Sequence, residues 1–267
     1  GKIYIIRRVP RPAPLSLPLP PPPEDREAGR QSGREREGEG GGDRRTAGKE
    51  KGKKRRMQEW LSREAMLLGR EAVERLERAS VAVFGLGGVG SYTAEALARA
   101  GVGRLVLVDG DAVADSNRNR QLGALVSTVG LPKAEVTAAR VREINPACRV
   151  EPHVLFYLPG EEGTLLDGLD YAADAVDTVA AKLSLAVECR RRGIPLVSAM
   201  GCGNKLDPTR FRVADIYQTR VCPLCRVMRR ELKRRGVPGV RAVYSTEESA
   251  VPAAAQEGEQ KGTAGRP

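Results

Sequence analysis

The sequence predicts a doubly wound α/β protein: a mainly parallel sheet with helices on both faces and a mixed C-terminal part. Three observations carry that prediction. From Trp60 onward, short apolar runs alternate strictly with helical segments. The first run, Val81-Ala82-Val83-Phe84, contains no polar residue, as a strand covered on both faces requires. It passes directly into Gly85-Leu86-Gly87-Gly88-Val89-Gly90 and then into a helix, the setting of a Rossmann-like phosphate-binding turn.

The elements follow in order. A short helix over 70–78 leads into the strand at 81–84, and a helix running to residue 100 follows the glycine turn. Leu105-Val106-Leu107-Val108 reads as the second buried strand, closed by Asp109. A helix over 134–144, a third strand over 149–154, a fourth over 172–176, a helix over 180–191 and a fifth strand over 195–198 complete the alternation. Beyond residue 200 the pattern changes. A hairpin-type segment is expected over 211–216, then a helix from about Pro223 and a last strand over 241–244.

The ends differ in composition. Eight of the 18 prolines lie between Pro10 and Pro23, and a Gly/Arg/Glu-rich stretch follows to Arg56. Such a segment buries too little to offset chain entropy, so residues 1–56 are expected to be a disordered leader, with Met57 as the natural start. A genuine basic tail that binds nucleic acid is the alternative. Residues 57–248 form the folded domain in this reading, and 249–267 an Ala/Gly/Glu-rich tail without a core.

Charge and rare residues narrow the chemistry. Of the net charge of +11, residues 1–56 supply +8, from 16 Lys/Arg against 8 Asp/Glu, so the rest is only mildly basic. The single histidine, His153, excludes any site built from two imidazoles. Five cysteines in a chain of 267 residues do not read as a disulfide framework, which suits a reducing cytoplasm. No apolar run approaches the roughly 20 residues of a membrane helix.

Gly85, Gly87 and Gly90, with Gly88 beside them, allow a phosphate to approach the backbone at a helix N-terminus, where free N–H groups favour anions. Asp109 stands where an acidic residue reaches a ribose hydroxyl, and Asp111 follows two residues on; both also suit loop capping. Asn117, Arg120, Gln121 and Lys133 supply the counter-charge and amide donors that a triphosphate needs and NAD does not need to this extent, so ATP is the expected nucleotide. Asp177 follows the fourth strand, at the sheet edge where doubly wound proteins bind ligands; it suits Mg²⁺ and equally a helix N-cap.

Taken together, Gly85 through Gly90, Asp109-Gly110-Asp111, Ser116-Asn117, Arg120-Gln121, Lys133 and Asp177 resemble the ThiF/MoeB superfamily of ubiquitin-activating-enzyme-like adenylating proteins, over roughly residues 60–248. Within it, 199–209, Val213-Ala214-Asp215-Ile216-Tyr217 and Cys222-Pro223-Leu224 ahead of 227–232 are similar to the tRNA threonylcarbamoyladenosine dehydratase branch. The resemblance implies that Gly85, Gly87 and Gly90 line the ATP phosphates, that Asp109 holds the ribose, and that Asn117, Arg120 and Lys133 hold the triphosphate. Asp177 would hold the metal. It further implies a homodimer, in which Arg63 reaches the partner subunit's nucleotide. The implied reaction adenylates the carboxylate of threonylcarbamoyladenosine in tRNA and cyclises it with loss of water. The implied partner is therefore the modified tRNA, with room for a cysteine-desulfurase or sulfur-acceptor protein.

Adenylation of a ubiquitin-like sulfur carrier is the alternative within the superfamily, and a NAD-dependent oxidoreductase the alternative outside it. Cys222-x-x-Cys225 matches half of the zinc site of other members, and no second C-x-x-C exists in the sequence; a chance pair or a low-pKa redox pair are the other readings. The cation-rich stretch 226–235 suits phosphate contacts to tRNA or a solvated helix face.

Overall fold

In a computed structural model, the described residues are 58–160 and 163–250. The expectations for residues 1–56 and 251–267 lie outside them. The element order is α1 (Ser62–Leu68), α2 (Arg70–Arg78), β1 (Ser80–Phe84), α3 (Gly90–Arg99), β2 (Arg104–Val108), α4 (Lys133–Ile144), β3 (Arg149–His153), β4 (Tyr171–Asp174), α5 (Val179–Arg192), β5 (Leu196–Ala199), β6 (Phe211–Asp215), α6 (Pro223–Arg234) and β7 (Arg241–Ser245). The sheet runs β3-β2-β1-β4-β5-β7-β6, parallel throughout except for β6 against β7. This is the expected α/β class with its mixed end.

The period-two alternation of each strand divides the core between the two faces. Val81, Val83, Leu105 and Leu107 pack against Ala94 and Ala98 of α3 and Ala138 and Val141 of α4. Ala82, Phe84, Val106 and Val108 pack on the other face against Ala181, Leu185 and Cys189 of α5. Small residues on the helices let them lie close to a sheet of large branched ones. A third cluster joins α5 to α6 and β7 through Leu183, Ala186, Met228, Leu232 and Ala242. β1 continues to β2 and β3 on one side, whereas β4 and β5 lie on the other. The carboxyl ends of β1 and β4 thus form the reversal point where such sheets hold ligands.

The structure departs from the sequence reading in several places. The expectation at 70–78 holds, and α1 is added before it, set off by Gly69 at φ 85°. None of the residues of α1 is buried, so no periodic core face marked it. β3 stops at His153 rather than 154. β4 stops at Asp174 rather than 176, because the Asp174 carboxylate accepts the Val176 N–H at 3.1 Å and turns the chain. The segment 211–216 is no hairpin: β6 pairs antiparallel with β7, but α6 lies between them in sequence. Among the described residues no helix is long and apolar enough to cross a membrane.

Candidate functional site

The glycine turn is built by contacts that exclude side chains. At Gly85, φ is +81° and a Cβ would lie 2.7 Å from the Ala175 carbonyl oxygen of the loop after β4. At Gly90, a Cβ would overlap the Gly85 carbonyl oxygen. Gly87 and Gly88 differ: their nearest neighbours are Gln121 Nε2 at 3.8 Å and Arg120 Cγ at 3.6 Å. The outer face of the turn therefore opens onto Arg120 and Gln121. Val89 occupies the N-cap of α3 and no side chain caps it, whereas the Ser91 and Thr93 N–H groups donate to the Gly87 and Val89 carbonyls at 3.1 and 3.0 Å.

Asp109 ties this turn to the end of β2. Its Oδ2 accepts the Leu86 N–H at 2.6 Å and its Oδ1 the Asp111 N–H at 2.8 Å. Asp111 in turn accepts Lys133 Nζ at 2.7 Å through Oδ2, and its carbonyl accepts the Lys133 N–H at 2.9 Å. Lys133 is buried whereas the Asp111 side chain is 53% exposed, so the ion pair opens to solvent on one side. Leu86, Val113, Gln121, Lys133 and Thr137 line one small crevice beside the turn. Ser91 links the two walls: its hydroxyl donates to the Gly87 carbonyl at 2.7 Å and accepts the Leu122 N–H at 3.3 Å.

The remaining expected residues divide into two sets. Asn117 Oδ1 accepts the Ala114 N–H at 3.0 Å and closes the tight turn that carries Arg120. Arg120 is exposed, with Nη1 donating to the Ser116 carbonyl and Asn119 Oδ1. Asp177 is exposed on the loop whose Ala175 abuts Gly85. It is not the N-cap of α5, a position held by Thr178. Arg63 is not brought to these residues within one chain. It is exposed on α1, and the adjoining Leu61 packs beside Gly101, at the amino edge of β2 rather than the carboxyl edge.

Sequence reading missed a buried ion pair at this same edge. Lys182 Nζ of α5 lies 3.1 Å from both Asp174 carboxylate oxygens, and it donates to the Ala199 carbonyl at 2.6 Å. The Ser198 hydroxyl also donates to Asp174. Both charged side chains are fully enclosed. Burial pushes the Asp174 carboxyl up, and the Lys182 charge and the Ser198 bond oppose that shift. Because Asp174 also accepts the Val176 N–H, the pair fixes the loop bearing Ala175 and Asp177. A lone Lys within the apolar run Ala180-Ala181-Lys182-Leu183 was the available signal.

On α6 the cations are not equivalent. Arg229 is half-buried and donates to the Thr219 carbonyl and hydroxyl at 2.8 and 2.6 Å. Arg230, Arg234 and Arg235 surround Glu231, whose carboxyl they hold down to about 2. Arg226 and Lys233 are exposed. Among the described residues no three His, Cys, Asp or Glu side chains converge as metal ligands.

Comparison with known proteins gives a consistent result. The model of the ThiF family matches residues 61–250. The tRNA threonylcarbamoyladenosine dehydratase of Bacillus subtilis is 49% identical over 189 residues, which cover 70% of this chain and 74% of that protein. The enzyme of the same name from Escherichia coli is 43% identical over 192 residues, covering 68% and 72%. The crystal structure of the Escherichia coli dehydratase, TcdA, in complex with ATP superposes with a TM-score of 0.69 at 42% identity, covering 72% of this chain and 83% of that one.

Proposed function

The chain belongs to the ThiF family, and on that premise we propose that it is an ATP-dependent dehydratase of threonylcarbamoyladenosine in tRNA. The observation that carries the reading is the uncapped start of α3, opened by Gly87 and Gly88 toward Arg120 and Gln121 and flanked by the Lys133–Asp111 pair. That arrangement suits a polyphosphate.

Gly85, Gly87 and Gly90 line the phosphates, with Gly87 and Gly88 at the open face of the turn, and Asp109, already fixed by two backbone bonds, orients the ribose through its remaining lone pairs. Lys133 exchanges part of its contact with Asp111 for phosphate oxygens, and Arg120 and Asn117 close over them from the facing turn. The carboxylate of the modified nucleoside is a poor electrophile while it is anionic. Its oxygen attacks the α-phosphorus, pyrophosphate leaves, and Lys133 and Arg120 stabilise the charge that develops. The neighbouring carbamoyl group then closes a ring on the acyl carbon, and AMP leaves. One water is lost overall, and no thiol takes part.

The exposed Asp177 carboxylate would hold Mg²⁺, a hard cation that takes carboxylate and phosphate oxygens, and the ion would supply charge neutralisation at the phosphates. Arg63, remote from the site in its own chain, acts in a homodimer on the partner subunit's nucleotide. Arg226 and Lys233 on α6 contact tRNA phosphates. The cytoplasm suits a tRNA-modifying enzyme with free cysteines. A sulfur-acceptor or cysteine-desulfurase partner would be additional to this chemistry.

The test incubates the protein with ATP, Mg²⁺ and either modified tRNA or a ubiquitin-like sulfur carrier, and follows AMP and pyrophosphate. AMP formation that depends on the tRNA is expected. Formation that depends on the carrier instead would replace this reading with sulfur-carrier activation.

A further inference from the structure

The sealed pair of Lys182 and Asp174 reaches two parts of the carboxyl edge, and one of them is the glycine turn. The Asp174 carboxylate accepts the Val176 N–H at 3.1 Å, which fixes the peptide plane between Ala175 and Val176. The turn rests on that peptide. A Cβ at Gly85 would lie 2.7 Å from the Ala175 carbonyl oxygen and 2.9 Å from the Val176 nitrogen, and a Cβ at Gly90 would lie 3.3 Å from the Ala175 Cβ. Ala175 is also joined to the end of β1, since its N–H donates to the Phe84 carbonyl at 2.8 Å. On the other side, Lys182 Nζ donates to the Ala199 carbonyl at 2.6 Å, at the end of β5.

A fully enclosed ion pair contributes little net stability, because apolar residues of similar size in its place serve a fold as well or better. What apolar side chains cannot supply is direction. A carboxylate accepts a backbone N–H along a fixed line, and an ammonium donates to a carbonyl on the neighbouring strand. Without that acceptor the 175–176 peptide is free to rotate. Gly85 is packed against both its oxygen and its nitrogen, so the turn moves with its support.

We propose that Lys182 and Asp174 are positioning residues for nucleotide binding: the pair holds the 175–176 peptide against the glycine turn and so sets the shape that the turn offers to the phosphates of ATP. Both side chains are enclosed, so neither touches the nucleotide. The inference rests on the ATP part of the reading above and not on its tRNA part.

The test measures ATP affinity by isothermal titration of the purified full chain, without tRNA, alongside urea unfolding. In Lys182→Met/Asp174→Leu no charge is left unpaired, so the fold should persist. Its dissociation constant for ATP should nevertheless rise about 10-fold, the size of effect carried by a packed network between sites. Arg229→Ala, which loses its bonds to Thr219, should lower stability and leave ATP affinity at the parent value. Affinity and stability then separate in opposite senses in the two proteins, a pattern that a purely structural pair does not give. In the parent, hydrogen exchange at the Val176 amide should be slow, a measurement that requires no variant to fold. Parent-like ATP affinity in the folded double variant, an affinity that falls with stability in Arg229→Ala, or exchange at Val176 as fast as in an unstructured peptide would each overturn the proposal. AMP formation that depends on a sulfur carrier would replace the tRNA reading and leave this result standing, because no tRNA enters the titration.

Discussion

Two lysine–aspartate pairs stand at the carboxyl edge of the same sheet, and their surroundings give them opposite uses. Lys133–Asp111, at 2.7 Å, has an aspartate side chain that is half exposed. Lys182–Asp174, at 3.1 Å, is sealed. Water and incoming anions can compete for the first lysine, so its charge is available to a ligand. The second has no such competitor. Its bonds to Ser198, the Ala199 carbonyl and the Val176 N–H instead make it a joint between β4, β5 and the loop bearing Asp177. In the proposed function one pair acts on a ligand, and the other holds what acts.

The largest expected effect comes from breaking the sealed pair on one side only. Lys182→Met leaves an uncompensated carboxylate in the core and should cost about 3–5 kcal/mol in urea unfolding, whereas adding Asp174→Leu should recover much of that loss. A cost near that of a surface ion pair would erase the distinction. Next come the open-side residues. Lys133→Ala and Asp177→Ala should each lower AMP formation on the order of 100-fold or more. Asp177→Ala should leave stability within about 0.5 kcal/mol, since its side chain is exposed. Full activity in either variant would remove the assigned role.

A smaller effect separates the cations of α6. Arg226→Ala and Lys233→Ala should each reduce the salt slope of tRNA binding by about 1, whereas Arg229→Ala should act through the lost Thr219 contacts on stability. An unchanged slope in both of the first two would remove α6 from the tRNA surface. The smallest effect is one of pH. Glu231 is held to about 2, below its ordinary 4.5, so its contribution is complete above 4.5 and is lost as pH falls through about 2. Glu231→Gln should therefore lower the unfolding midpoint slightly at pH 7, and the difference from the parent should shrink as pH falls from 4.5 toward 2.

Much of the edge was legible because it is local in sequence. The glycine turn, Asp109 at the end of β2 and Lys133 at the start of α4 each sit at a junction between periodic segments. The sealed pair was not legible as a pair. Asp174 closes a strand and Lys182 lies eight residues later on a helix, and only the packing of α5 on the sheet brings them together. The pairing of β6 with β7 escaped for the same reason, since α6 separates them. Asp177 follows β4 as expected, but Thr178 and not Asp177 is the N-cap of α5. The role proposed for Arg63 requires a second subunit, which no reading within one chain supplies.

The most direct test of the central claim weighs the product. Modified tRNA is incubated with the protein and ATP, digested to nucleosides under neutral conditions, and analysed by mass spectrometry. The account predicts conversion of threonylcarbamoyladenosine to a species lighter by one water, dependent on ATP and lost in Lys133→Ala. An unchanged nucleoside mass alongside ATP cleavage driven by a ubiquitin-like carrier would contradict it.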